Sequence, residues 1–444
     1  MLWSWGVYGT LGSITLFILL ELVQRRRELG DEPVLLSQGP CPLKPRSPLD
    51  CLVCCSPHPK SLWGHGRKPG VLPWPDRQHP QGPQKRVCTA GQACPNPLCE
   101  YWGNTDPTFH ALVGNGLRNG IQQFRCQACK TRFTSRWGTA LYRLHATARE
   151  VGLVLLVVNL GLSLADVQRA LGVSDATLRL WLARAGAHAE RVHAHFFRNL
   201  RIGHLQFDEL YTTLRDKSHD LWVWVAFDPQ TKLIPGLQLG PRTQDLAHAL
   251  VHAVTLTLAP GCVPACTSDG LNLYFYALTA HFGHWLTDPA TGKPKWQVAL
   301  DLLYGQVKKS YRRRKLAKVE RQMQLGQLED LQASLQRLGF TGSINTAFVE
   351  RLNLTLRQGL AALTRRSWAT AQLTPALEAH LAWWRAWYHF CRPHQSLRLK
   401  LETPQARKGR QTARRYQDRT PAMAAQLTNH VWSIEELLLC PVGE

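Results

Sequence analysis

His204-Leu205-Gln206-Phe207-Asp208-Glu209-Leu210-Tyr211-Thr212-Thr213 decides the fold, because here a long helical pattern gives way to a strand-like one. In a strand, side chains at i and i+2 share a face, so Asp208 and Glu209 are expected on opposite faces. Two further strands follow, Leu221 to Phe227 and Leu233 to Leu239, with Asp228-Pro229-Gln230-Thr231-Lys232 as the turn between them. A helix is expected from about Gln244 to Leu258. A short apolar strand, Cys262 to Thr267, then runs into Ser268-Asp269-Gly270, and a helix from Leu271 to Phe282 comes after it.

Three strands, a helix, a fourth strand and more helices is the order of an RNase H-like α/β domain, a mixed sheet flanked by helices. In that order Asp208 lies on the first strand and Asp269 just beyond the fourth. A third carboxylate is expected on a later helix that includes Ile344 to Asn353. At 100° per residue, Val349, Leu352, Leu356, Leu360 and Leu363 form one apolar arc, which leaves Glu350 and Arg357 together on the opposite side. Three carboxylates from separate elements suit two Mg²⁺ (or Mn²⁺) ions, which take hard oxygen ligands and bridge a scissile phosphate. The plainer readings are that Glu350 is a solvated helix residue and Arg357 a surface cation; Glu209 and Asp228 compete with Asp208, although Asp228 reads as a hairpin-turn residue and Glu209 faces the other way.

Upstream, Cys94-x4-Cys99 and Cys126-x2-Cys129 form two short knuckles. Four thiolates spaced in this way close a tetrahedron around a structural Zn²⁺, with Phe124 and Phe133 flanking the second knuckle as in a zinc ribbon. Cys88 is the one rival ligand. Cys51, Cys54 and Cys55 would make at most half of another site. Between about Ala146 and His195 the chain reads as helical. Ser163 to Leu171 ends at Gly172, and a second helix starts near Ser174, which is placed to cap it. This corner has the form of a helix-turn-helix, with Thr177, Arg179 and Arg184 as candidates for DNA contact. The expected organisation is a hydrophobic segment 1–29, a Pro/Gly-rich linker 30–87, a zinc-ribbon module 88–140 and a helix-turn-helix domain 141–200. A catalytic domain 201–400 with a basic insertion at about 288–343, and a tail 401–444, complete it.

Lys and Arg outnumber Asp and Glu by 53 to 31, a net charge of +22 spread through the chain, so the expected partner is nucleic acid. The run Lys308-Lys309-Ser310-Tyr311-Arg312-Arg313-Arg314-Lys315 is its densest part and a candidate for phosphate contact, with a solvated basic run as the plainer reading. Most of the 13 cysteines cluster in the first third, which suits metal ligands in a reducing compartment better than a disulfide framework. Met1 to Leu20 carries no charge and is followed by Arg25, Arg26 and Arg27. Its length would let it cross a bilayer with the rest of the chain kept in the cytosol; a hydrophobic extension of no function is the alternative.

Several pieces together resemble bacterial insertion-sequence DDE transposases with an integrase-like catalytic core. They are Phe207-Asp208-Glu209, the run Trp222 to Asp228, Arg242-Thr243, Ser268-Asp269-Gly270, Asn345 to Asn353, and Arg392-Pro393-His394-Gln395-Ser396-Leu397. The resemblance spans roughly Cys88 to the C-terminus, and its specificity lies in order and combination. It implies that Asp208, Asp269 and Glu350 are the metal-binding triad and that Arg357 contacts DNA beside it. It also implies an enzyme that binds double-stranded DNA at its element's ends, cleaves the 3′ ends and joins them to target DNA. Such an enzyme would act as at least a dimer, in the cytoplasm at the nucleoid. A catalytically inactive DNA-binding regulator and a structure-specific nuclease remain rivals. Two features depart from the pattern, the long stretch between Asp269 and Glu350 and the hydrophobic N-terminus.

Overall fold

The computed structural model describes residues 89, 91–105, 110–215, 219–289, 292–313, 315–365, 371–407 and 410–442. The hydrophobic segment, the linker, Cys51, Cys54, Cys55, Cys88 and Arg314 lie outside the described residues. No helix among the described residues is long and apolar enough to cross a membrane. The chain forms two compact units. One takes the residues up to Val154 with Leu164–Leu178 and the last few from Leu439; the other takes Leu155–Ser163 and Arg179–Leu438.

The first unit contains a three-stranded antiparallel sheet, β1 (Leu112–Arg118), β2 (Ile121–Cys126) and β3 (Arg132–Thr134). Phe124 pairs with Phe133 across β2 and β3, their ring centroids 5.5 Å apart. With Tyr101, Leu112 and three of the cysteines they form a small apolar cluster against which Trp102 and Trp137 pack. Helix α1 (Ala148–Asn159) opens on a reciprocal cap: the Thr147 amide donates to Glu150 and the Glu150 amide donates back to the Thr147 hydroxyl. Helix α2 (Leu164–Leu171) buries Val167 and Leu171 and stops at Gly172, whose φ of 65° is the left-handed conformation that ends helices. The Ser174 hydroxyl accepts from the Thr177 amide at 3.2 Å and so caps α3 (Asp175–Phe196), which is much longer than a recognition helix needs.

The second unit is a mixed α/β body. Its strands are β4 (His204–Leu214), β5 (His219–Phe227), β6 (Gly236–Gly240), β7 (Ala265–Asp269), β10 (Tyr304–Arg312) and β11 (Lys315–Leu325), and they form one sheet in the order β11-β10-β7-β4-β5-β6. β4, β5 and β6 pair antiparallel, β7 and β10 run parallel to β4, and β11 returns antiparallel. Helix α4 (Gln244–Thr255) follows β6, and α5 (Leu273–His281) follows β7. After the small hairpin β8 (Gly283–Thr287) and β9 (Pro294–Val298) come α6 (Leu328–Arg337), α7 (Ala347–Gly359) and α8 (Thr374–Phe390).

The faces of this sheet follow from alternation. Phe207 and Trp224 point to the α5 side, where both rings meet Tyr274. Gln206 points to the other side, takes the Val349 amide on its Oε1 and donates to the Asn345 carbonyl. One buried glutamine thus docks the start of α7 on β4. Helix α8 is buried almost throughout, and the Arg385 guanidinium on it donates twice to Glu190, each bond 2.9 Å. It passes α3 at Gly186, where a Cβ would lie 2.5 Å from the Ala379 backbone.

Two expectations need correction. The segment 288–343 is not an insertion set apart from the sheet, since it supplies β10 and β11. β10 lies in the sheet beside β7, with Val307 paired to Asp269. The segment 401–444 is not a tail. It holds most of the hairpin β12 (Leu399–Arg407) and β13 (Arg410–Gln417), then α9 (Pro421–Ala424) and α10 (Ile434–Leu439), with Ala422, Leu437 and Leu438 fully buried.

Candidate active site and metal site

Asp208 lies in mid-β4 opposite Val225, Asp269 is the last residue of β7, and Glu350 is in the first turn of α7. Alternation puts Asp208, Asp269, Val307 and Lys309 on the face of the sheet that α7 covers. The arrangement is electrostatically costly. Burial first, then the charges of Asp269, Glu209 and Glu350, push the Asp208 carboxyl up to about 7. Its Oδ2 accepts from Asn353 Nδ2 at 2.8 Å, and its Oδ1 accepts from the Glu209 amide at 3.0 Å. Asp269 Oδ1 accepts from the Leu271 amide, which turns the chain into α5. Glu350 Oε1 accepts from the Thr346 hydroxyl at 2.6 Å and is ion-paired to Lys309 of β10.

Asp208 feels the charges of the other two acids, yet the three do not stand at metal-ligand spacing. Among the described residues, the cysteine cluster below is the group whose candidate ligand atoms all lie within 4.8 Å of one another. A fourth acid, Glu209, occupies the opposite face as alternation requires. Its side chain is 2% exposed, and its Oε2 accepts from Arg242 Nε and Nη2 at 3.2 and 3.0 Å. Burial and then the Asp269 charge raise its carboxyl above the usual range. Arg242 also lies over the Trp222 ring, 4.9 Å from its centroid. Asp228 caps its own turn, accepting the Gln230 amide at 2.8 Å, as a turn residue should.

The cations fall into distinct roles. Arg357 is half-buried, and its guanidinium donates to the carbonyls of Leu363 and Tyr211 at 2.9 and 3.1 Å, so it braces the end of α7 against β4. Lys308 donates to Gln322 across the β10–β11 ladder, whereas Lys309, one residue on, reaches Glu350. Arg312 and Arg313 are exposed at the hairpin tip, and Arg313 has a φ of 50°. Thr177 is half-buried with its hydroxyl 2.9 Å from that of Ser174; Arg179 is exposed and Arg184 half-buried. Sequence reasoning missed Asn353 and Lys309 as partners of the acids. For Asn353 the signal was present, because it stands three residues after Glu350 and shares its side of the helix.

The raised carboxyl of Asp208 has a consequence for stability. Its ordinary value is 3.8 and its folded value about 7, so the folded state holds the proton more tightly. Stability from this group is therefore lost as pH rises from 3.8 through 7, and the penalty is complete above 7, on the order of a few kcal/mol. Without divalent cations, Asp208→Asn is expected to raise the unfolding temperature at pH 8. Near pH 4 the variant and the parent should unfold together. Calorimetry at the two pH values checks this, and equal unfolding temperatures at pH 8 would remove the argument.

In the first unit, Cys94, Cys99, Cys126 and Cys129 form a group with every sulfur within 4.8 Å of the others. Cys94 and Cys129 are 3.5 Å apart and Cys99 and Cys126 3.8 Å apart, far beyond a disulfide bond. The Cys126 thiol is pulled down to about 5 by its hydrogen bond with Cys94, and the amides of Cys129 and Ala128 add to this. Burial raises Cys99 to about 11. Four mutually close thiols, backed by amide donors, can hold a soft tetrahedral metal such as zinc.

A scan against protein-family models and a search of curated proteins both return no match for this chain.

Proposed function

We propose that the protein is a DDE-type DNA transposase, with an RNase H-like catalytic domain and Asp208, Asp269 and Glu350 as its metal-binding triad. The observation that carries this is the placement of the acids. Carboxylates from β4 and β7 share the face of the mixed sheet beside α7, which carries Glu350, and burial first, then the charges of Asp269, Glu209 and Glu350, hold Asp208 near 7. The strand order β6-β5-β4-β7-β10, three antiparallel strands followed by two parallel to β4, supports the fold.

The donor set is all hard oxygen, which suits Mg²⁺ or Mn²⁺, and two such ions would activate a water or 3′-hydroxyl and stabilise the leaving oxygen. Asn353 orients Asp208 by its amide, and Gln206 holds the start of α7, the turn that carries Glu350, on β4. Lys309 neutralises Glu350 and must release it when the carboxylate takes up another role. The exposed tip of β10–β11 supplies cations for phosphate contact. The cysteine site, as a zinc ribbon, and the α2–α3 corner, as a helix-turn-helix, serve to recognise the ends of the element. Two ends require two active sites, so the working form is at least a dimer, acting on double-stranded DNA at the nucleoid.

The test is incubation of the purified full chain with Mg²⁺ and labelled duplex ends taken from the DNA that flanks its gene. The expected result is 3′-end cleavage followed by covalent joining to a target plasmid. Cleavage without joining would make it a structure-specific nuclease. Binding without cleavage would make it a regulator.

A further inference from the structure

The hairpin β12–β13 has no part in the carboxylate site. Among the described residues it is a two-stranded sheet that pairs with no other strand. From Arg398 to Arg419 it carries eight Lys and Arg against two carboxylates, Glu402 and Asp418. Asp418 is already taken, bonded to Arg398 at 2.8 Å with Arg414 at 3.9 Å. Lys400 and Arg415 are exposed, and among the described residues neither has an acidic partner. Tyr416, paired with Lys400 across the ribbon, is 49% exposed and lines a hollow with Arg398 and Arg415.

The root of the ribbon adjoins the catalytic helix in charge. The His394 amide donates to the Arg419 carbonyl at 2.9 Å and closes the base of the hairpin. The His394 ring lies in the field of Lys232, Arg392 and Arg351, and Arg351 directly follows Glu350 on α7. Lys232, Arg351 and Arg392 thus place positive charge around His394 at the base of the ribbon. A free two-stranded ribbon also has the width that a DNA major groove admits.

We propose that β12–β13 is a second DNA-binding element, a basic ribbon that grips the phosphate backbone of duplex DNA through Lys400 and Arg415. This rests on the reading of the protein as a DNA-acting enzyme. Each cation withdrawn from a phosphate should lower the slope of log K against log salt concentration by about 0.9. The test is equilibrium binding of the full chain to a plain duplex without divalent cations, from low to physiological salt, with K400Q/R415Q and the charge-keeping K400R/R415K. The Gln pair is expected to lower the slope by up to about 2 and to weaken binding about tenfold or more. The charge-keeping pair should track the parent. If the parent binds and the Gln pair matches it in slope and affinity, the ribbon is not a DNA element, although the transposase reading survives. The ribbon is equally excluded as a DNA element if the Gln pair loses only binding to anionic phosphatidylserine vesicles. If the parent itself does not bind duplex DNA, both readings fall.

Discussion

Asp269→Asn is expected to abolish strand cleavage, by about a thousandfold or more, while duplex binding without metal stays within about twofold. The asymmetry follows from position. Asp269 ends β7 and contributes a carboxylate to the acidic face, whereas the exposed cations that would hold phosphate lie on the β10–β11 tip and elsewhere. Asn keeps the acceptor for the Leu271 amide, so the turn into α5 should survive. Asp208→Asn and Glu350→Gln should act alike, each by removing one oxygen anion from the metal-binding set. Glu350→Gln also frees Lys309 from its ion pair, so its duplex binding is expected to rise slightly if it changes at all. Labelled-strand cleavage beside a metal-free binding curve separates chemistry from affinity. Normal cleavage by any one variant would strike that carboxylate from the triad.

Cys126→Ser should have an effect of similar size on the other unit. Cys126 is fully buried, ends β2 and has two other thiols of the group among its hydrogen-bond partners. The module around it has few large side chains that are buried, Tyr101, Phe124 and Phe133, with Trp102 and Trp137 partly buried against them. A structural metal supplies folding free energy that so small a core lacks, on the order of 10 kcal/mol or more at neutral pH. Loss of one thiolate should therefore empty the site and disorder the three-stranded sheet. Bound zinc, measured by atomic absorption, is expected to fall from about one ion per chain to near zero. Binding to element ends should weaken with it. An unchanged metal content would show that the four sulfurs are buried thiols and nothing more.

Much of the second unit was legible in the sequence, and the reason lies in side-chain alternation. β4, β5 and β6 bury one or both faces, so their apolar residues are patterned, and the loops between them carry turn residues such as Asp228. The helix α7 showed its leucine arc, and all five apolar positions named for it are buried, although the helix itself ends at Gly359 and the last two lie beyond it. β10 and β11 were not legible as sheet. Only Tyr304 to Val307 of β10 is fully buried, and β11 is an edge strand whose side chains are mostly exposed, with Lys315, Lys318, Glu320 and Arg321 charged. Edge strands carry such charge because it discourages pairing with other chains, and the same charge erases the strand signal. The run from Lys308 to Lys315 therefore stood out for its charge and not for its place beside Asp269.

The acids themselves were legible as addresses, but their partners were not. A carboxylate on a strand end can be read from local pattern. That Lys309 meets Glu350 across 41 positions of sequence depends on the pairing of β10 with β7, which no local pattern encodes. Arg242 and Glu209 are a similar case, joined across the α5-side face by a fold that places the α4 start over β4.

Lys308 and Lys309 are neighbours in sequence yet serve opposite sides of the sheet, one lying along the ladder toward Gln322 and the other meeting Glu350. Strand β10 is thus constrained in parity where it pairs with β7. An even number of residues added within the pairing of β10 would preserve which lysine faces α7, whereas a single residue would exchange the two faces and turn Lys308 toward α7. Residues added beyond Arg312, at the tip, would change neither. The tip is free to vary in length and charge, while the strand beneath it keeps count for the acidic face.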